Sequence, residues 1–244
     1  MINVVLMAGF GKRFSDAGYT QSKPLLPILG KPMIIRAVEC MPKNDKWIFV
    51  VRDEHLKEKE VFDTLKSVGK DVNVIVNPNS TSQLGSALIP KEHYGDESLF
   101  VGACDFGMVY DQAEFKRVIE SGEADMVVLS FTGQENLSRN PTAWGWLRQS
   151  KDMRISGVSV KVPISETPEK DYAITGSFAF KSGKYFLKLA EEIIKRDIKV
   201  KGEYYIDSMI GLACELGHKV VSFPITYIGW GTPTDYEENK NRIS

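Results

Sequence analysis

Short apolar runs alternate with helix-patterned segments along the first 131 residues, and this rhythm constrains the fold more than any other feature. The runs Asn3–Met7, Trp47–Val51, Val72–Val76, Ser98–Gly102 and Asp125–Phe131 are brief and apolar, the pattern of strands covered on both faces. Helical spacing covers Pro32–Met41, Glu54–Ser67 and Gln112–Glu120. Strands separated by helices in this way predict βαβ units and a mainly parallel sheet with right-handed crossovers. The second half differs. Ala143–Leu147, Ile155–Val162 and Ile174–Phe180 read as strands with no helix between them, so an antiparallel addition is expected. Helices at Ser182–Arg196 and Tyr204–Leu216 follow, the second stopped by Gly217, then a strand at Lys219–Pro224 and a terminal helix at Thr234–Arg242. The expectation is a single α/β domain over 1–244, a mainly parallel mixed sheet flanked by helices, with Gly133–Pro141 as a hinge between its halves.

Composition narrows the chemistry. With 43% hydrophobic residues the chain can bury a core, which excludes disorder as its main description. A net charge of −1 argues against a nucleic-acid-coating protein. Cys40, Cys104 and Cys214 are too few and too unevenly spaced for a disulfide framework or a zinc site, which fits a reducing, cytoplasmic setting. Val4–Met7 is too short for a signal sequence, and no run reaches the roughly 18 apolar residues of a membrane helix. Three histidines leave little room for His-based catalysis, and His55, His93 and His218 are given no role. The chemistry then falls to Lys, Arg, Asp and Glu.

The informative stretch is the loop after the first strand, Met7-Ala8-Gly9-Phe10-Gly11-Lys12-Arg13-Phe14, followed by Lys23-Pro24-Leu25-Leu26-Pro27. A glycine-rich turn leaving a parallel strand exposes backbone N–H groups that attract phosphate oxygens. From Gly9 to Arg36 five basic residues (Lys12, Arg13, Lys23, Lys31, Arg36) face one acid, Asp16. A dinucleotide fingerprint fails because Phe14 holds its third glycine position. A P-loop fails because Leu6 stands at its first glycine and Arg13 replaces the hydroxyl residue after Lys12. A plain turn bearing solvated lysines is the alternative.

MAGFGKRF followed by SKPLLPILGKPMI resembles the N-terminal signature of sugar-phosphate nucleotidyltransferases, an A-G-x-G-x-R loop, then K-P-x-x-P and G-K-P-M. The resemblance implies a Rossmann-like fold of the GT-A, nucleotide-diphospho-sugar transferase type. It implies an enzyme of the EC 2.7.7 type that joins a substrate phosphate to the α-phosphorus of a nucleoside triphosphate and releases pyrophosphate. A phosphate monoester has a second pKa near 6, so the nucleophile is already ionised at pH 7 and needs no base. What remains is to align two anions and neutralise the leaving group, work suited to Lys, Arg, backbone amides and Mg²⁺.

By this resemblance Met7, Ala8, Gly9, Gly11, Lys12 and Arg13 would cradle the triphosphate, and Lys23 would contact the α-phosphate. Asp105, beyond the carboxyl end of the strand Ser98–Gly102, would bind Mg²⁺; a turn cap is its alternative, and Cys104 beside it reads as a small buried hydrophobe. In Ser80–Ala87, a segment that also reads as a solvated polar turn, Gln83, Gly85 and Ser86 would meet the nucleobase. Lys161, Gly176, Glu203 and Trp230 would contact the phosphorylated substrate. Arg13, Lys23 and Asp105 would be the catalytic set, with residues 1–132 binding the triphosphate and 133–244 the sugar phosphate.

One departure stands out. Many members of the family carry a second metal-binding Asp two residues before a C-terminal Gly-Thr, where this chain has Gly229 before Gly231-Thr232. A second metal would then use Asp207 or Asp235, or a single Mg²⁺ would serve. The expected partners are CTP, GTP, UTP or dTTP and a small phosphorylated substrate, in surface-glycan assembly, with no nucleic acid and no membrane; a homodimer is compatible. The alternatives are a GT-A-type glycosyltransferase, which would ordinarily need a second acid near Asp105, and a catalytically reduced nucleotide-sugar-binding protein.

Overall fold

The structure, a computed structural model, describes residues 1–77, 79 and 82–242. Its elements run β1 (Ile2–Leu6), α1 (Lys12–Asp16), the two-residue strands β2 (Pro27–Ile28) and β3 (Lys31–Pro32), α2 (Met33–Cys40), β4 (Lys46–Val51), α3 (Asp53–Lys57), α4 (Lys59–Lys66) and β5 (Asp71–Val76). Next come α5 (Gln83–Leu88), β6 (Leu99–Ala103), β7 (Phe106–Val109), α6 (Gln112–Glu120), β8 (Met126–Phe131), α7 (Glu135–Arg139), β9 (Gly145–Gln149) and β10 (Ile155–Val160). The chain continues through β11 (Tyr172–Phe180), α8 (Gly183–Lys195), α9 (Asp207–Glu215), β12 (Val220–Pro224), β13 (Thr226–Gly229) and α10 (Pro233–Asn239).

Strands β5, β4, β1 and β6 lie side by side and parallel, with Val4 of β1 facing Ile48 on one side and Val101 on the other. Next to β6 the long β11 runs antiparallel, pairs along its other edge with β8, and β12 closes that side parallel to β8. The expected antiparallel addition is the β9–β10 hairpin, which joins the sheet through Tyr172 and Ala173 at the start of β11. Successive β1 residues point to opposite faces, so the sheet separates two apolar layers. Val5 meets Met33 and Ile34 of α2, Leu65 of α4 and Phe115 of α6 in one. Val4 meets Leu84 of α5, Phe186 and Leu189 of α8 and Met209 of α9 in the other. The mainly parallel mixed sheet flanked by helices is therefore observed, and no helix among the described residues is long and apolar enough to cross a membrane.

Several local expectations need correction. The single helix read over Glu54–Ser67 is two, α3 and α4, because Glu58 is extended (φ −89°, ψ 94°). The charged run Lys57–Lys59 has no apolar side chain to hold a continuous helix on the sheet, whereas Val61 and Leu65 dock α4. The polar loop ends sooner than its composition suggests: Ser82 caps α5 by accepting the Gly85 N–H. Ser80 and Thr81 lie outside the described residues. The stretch taken for a hinge contains α7, fixed by the Gly133 N–H to the Glu169 carbonyl at 2.7 Å and by an Arg139–Glu238 ion pair. The short strands β7 and β13 carry too few residues to announce themselves, yet their ladder sets Gly229 opposite Phe106, directly beside Asp105.

Candidate active site

The adjacent strands β1 and β6 end together, with Leu6 opposite Ala103, and both chains then turn outward at the carboxyl edge of the sheet. Open parallel sheets offer ligand sites at this edge. After β1 the chain passes through buried Met7 and Ala8 to Gly9 and Gly11. Gly11 stands at φ +63° in the left-handed region that a glycine adopts without strain, and it opens the one-and-a-half turns of α1. The turn over Lys23–Leu25 packs against it, so that a Cβ on Gly11 would lie 3.8 Å from that of Lys23. Beneath, Phe14, Tyr19 and Tyr236 meet edge to face with ring centroids 5.2 to 6.0 Å apart, pinning the loop to α10.

At the centre Lys23 Nζ donates to Asp105 Oδ2 at 2.6 Å. The side chains are 16% and 26% exposed, so the pair is shielded yet reachable. Burial alone would push the Asp105 carboxyl up, but the Lys23 ammonium and, more weakly, Arg13 hold it below the ordinary carboxylate range. Burial likewise opposes the Lys23 charge, and Asp105 reverses this and raises the Lys23 pKa above its usual value. Both groups are charged at neutral pH. Burial pushes the neighbouring Cys104 thiol up to about 12, so it is an inert small hydrophobe rather than a nucleophile.

Two cavities meet at Ala103 and Asp105. The smaller, about 310 Å³, lies over the glycine loop and is lined by Met7, Gly9, Gly11 and Lys23 among others. The larger, about 580 Å³, is lined by Arg13, Gln83, Thr175, Gly176, Tyr227 and Asp235 among others. Gly176 (φ +88°) lies in the bulge where β11 leaves β9 and β8 shifts register, and a Cβ there would meet nothing within 4 Å. The larger cavity thus takes walls from both halves of the chain.

Other residues singled out from the sequence are placed differently. Lys12 does not join Arg13 at a cavity: it is exposed and paired with Asp16 at 2.9 Å. Gly85 donates its N–H to the Ser82 hydroxyl, and Ser86 is buried against Asn77 at 3.1 Å; neither lines either of these two cavities. Gln83 does, although its Oε1 already accepts the Ile206 N–H at 3.1 Å. Lys161, in a left-handed turn at φ +62°, donates through Nζ to the Ala143 carbonyl and lies over the Tyr205 ring. Glu203 is exposed and accepts from the Tyr205 hydroxyl at 3.0 Å. Trp230 must be withdrawn as a substrate contact. Its side chain is 0% exposed, and a Cβ on Gly107 would meet its ring at 2.9 Å, so it belongs to the core. Asp207 is buried against Gly145 and lines neither cavity, whereas Asp235 lines the larger one and accepts from the Thr232 hydroxyl at 2.7 Å.

Sequence reasoning missed Trp144, Asn136 and Tyr227, all of which line the larger cavity. Asn136 comes from the supposed hinge, Tyr227 from a strand too short to recognise, and Trp144 from a stretch read only as a strand, just before β9 begins at Gly145.

The chain matches the nucleotidyl transferase family over residues 2–243. It belongs to that family. Its fold is similar to that of a nucleoside-diphosphate-sugar pyrophosphorylase from Vibrio cholerae RC9, at 20% identity and a TM-score of 0.78 over 98% of this chain and 99% of that one. It is also similar to the inositol-1-phosphate CTP transferase from T. maritima, at 15% identity and a TM-score of 0.69 over 96% and 90% of the two chains. In sequence it is 22% identical over 222 residues to the bifunctional protein GlmU of Rhodopseudomonas palustris (strain TIE-1). That match covers 88% of this chain and 46% of the relative, so the chain spans about half the length of the curated relative.

The donors available to a metal fit a narrow class of ion. No group of three or more His, Cys, Asp or Glu side chains converges among the described residues, so an all-protein cage is not built. Mg²⁺ commonly takes only one or two carboxylates and completes its shell with phosphate and water. Asp105, ionised and facing both cavities, suits that role.

Proposed function

We propose that this family member transfers a nucleotidyl group from a nucleoside triphosphate to the phosphate of a small phosphorylated acceptor, a sugar phosphate or a similar ester, and releases pyrophosphate. The observation that carries this reading is the Lys23–Asp105 pair at the seam of two cavities, beside the Gly9–Arg13 loop. The phosphates of both substrates meet at the seam, with the nucleoside and the acceptor extending into the space on either side.

The loop backbone and Arg13 hold the polyphosphate, and Arg13 makes no ion pair of its own among the described residues. Lys23 supplies a buried positive charge next to the reacting phosphorus, where a cation acts more strongly than in water. Asp105 would hold Mg²⁺, which when bound would supply positive charge to offset that of the phosphates and the leaving group. The acceptor oxygen forms a bond to the α-phosphorus, the bond to the β-bridging oxygen breaks, and pyrophosphate departs with that electron pair. No proton is removed from the nucleophile. The product would be an activated precursor for glycan assembly, and 1–244 would act as one catalytic domain in the cytoplasm.

A panel of CTP, GTP, UTP and dTTP against hexose, heptose and inositol 1-phosphates, scored by pyrophosphate release with Mg²⁺, tests the proposal. One productive pair is expected to exceed all others. Nucleotide binding without release from any pair would leave a binding protein in its place.

A further inference from the structure

Among the polar groups on the walls of the larger cavity, a phenol is held most rigidly. Tyr227, in β13, is 8% exposed, and its ring is fixed on three sides. It stacks on Phe131 at 4.3 Å with planes 17° apart, meets Trp144 edge-on at 5.7 Å and lies 5.2 Å from Phe106. Its backbone carbonyl is taken by Gln134 Nε2 at 2.7 Å, which holds the strand from the other side. The hydroxyl, by contrast, makes no hydrogen bond among the described residues.

That hydroxyl has a defined place. A Cβ on Gly229 would stand 3.3 Å from it and 2.9 Å from the ring, so Gly229 leaves it room. Two residues on, a Cβ on Gly231 would stand 3.1 Å from Asp105 Oδ2, and the intervening Trp230 N–H donates to the Asp105 carbonyl at 2.9 Å. One Gly-Trp-Gly segment thereby passes both the phenol, at Gly229, and the Asp105 carboxylate, at Gly231. Arg13 and Asp235 complete the same wall. Burial and the flanking carboxylates hold the phenol well above its usual pKa, so it keeps its proton and can only donate toward an anion. A rigid, nine-tenths-buried donor with no partner, on a residue lining the cavity that opens from the seam, has the properties of a preorganised electrostatic catalyst.

We propose that the Tyr227 hydroxyl is a catalytic hydrogen-bond donor to a non-bridging oxygen of the transferring phosphoryl group. This rests on the nucleotidyl-transfer reading. The phenol proton stays on Tyr227 throughout, while the bond changes at the α-phosphorus are those given above. The donor offsets charge on the equatorial oxygens as the new bond forms and the old one breaks.

The test is Tyr227→Phe, which keeps every ring contact and removes only the oxygen. With the productive substrate pair, kcat for pyrophosphate release is expected to fall ~10²-fold while the melting temperature is unchanged. Inorganic tripolyphosphate, titrated calorimetrically with Mg²⁺, provides a second readout that needs neither a base nor an acceptor. Its affinity is expected to fall about tenfold in the variant, the loss of one hydrogen bond to a charged group. Unchanged kcat in the variant overturns the proposal, and so does equal tripolyphosphate affinity in the two proteins. If the wild type binds tripolyphosphate more tightly than the variant but turns over no substrate pair, the contact stands and the nucleotidyl-transfer reading falls. If the wild type neither binds nor turns over, both fall.

Discussion

Asp105 is a half-buried carboxylate and Asp207 a buried one, and their surroundings push them in opposite directions. Lys23 holds Asp105 down, so its contribution to stability is present above the unfolded carboxylate pKa and is lost as the solution is acidified through its lower folded value. Asp207, 6% exposed and with Lys161 acting only as a partial counter-charge, is raised from 3.8 to about 6. The folded state therefore holds a proton that the unfolded state has released. Stability falls as pH rises across that interval, by roughly 3 kcal/mol at 1.36 kcal/mol per pKa unit. Asp207→Asn is expected to abolish this slope, unfolding in urea with a higher free energy than the wild type at pH 7 and with no gain at pH 3.5. Equal urea midpoints at both pH values would show that Asp207 is solvated in the folded protein.

At the scale of elements, the β7–β13 ladder decides whether the site exists, because it carries the Gly229–Gly231 segment to Asp105. Its anchor is Trp230 beneath Gly107, where an added Cβ would approach the indole to 2.9 Å. Gly107→Ala must force the two strands apart or displace the ring, at a cost of about 1–3 kcal/mol. For a chain of this size each kcal/mol lowers the melting temperature by about 2–4 °C. Pyrophosphate release should drop with it. Gly157→Ala, where a Cβ meets nothing within 4 Å, serves as the control and should stay within about 0.5 kcal/mol of the wild type. The ladder was also the least legible part of the sequence. Strands β1, β4 and β8 announce themselves as apolar runs, since each is buried on both faces. The four-residue strands β7 and β13 alternate too briefly to be distinguished from turns, and Trp230, a lone aromatic between glycines, looks the same in a sequence whether it faces ligand or core. Lys23 and Asp105 were singled out by the family signature, and Asp105 also because an acid after a parallel strand lies at the carboxyl edge of the sheet; the structure brings the two together.

Across the whole molecule, the balanced net charge of −1 conceals a division of labour. Many exposed lysines and arginines sit in surface ion pairs such as Lys12–Asp16 and Arg139–Glu238, whereas Lys23 is committed to a shielded carboxylate at the cavity seam. The division of the chain at residue 132 does not coincide with a division of the larger cavity. Arg13, Gln83 and Asp105 share one cavity with Thr175, Tyr227 and Asp235, so residues from both halves surround it. Sequence order could not reveal this, because the long β11 that inserts between β6 and β8 is what brings the second half to the carboxyl edge of the first. His55 lines the smaller cavity and burial lowers its pKa, but on the proposed reading no base is needed there because the acceptor phosphate is already ionised. On the proposed reading, nucleotidyl transfer depends on an ionised Asp105 at the seam. Pyrophosphate release by Asp105→Asn, measured beside the wild type at saturating Mg²⁺ with the productive substrate pair, should then fall ~10²-fold or more in kcat with folding intact; full Mg²⁺-dependent activity in the variant would show that the reaction does not need this carboxylate.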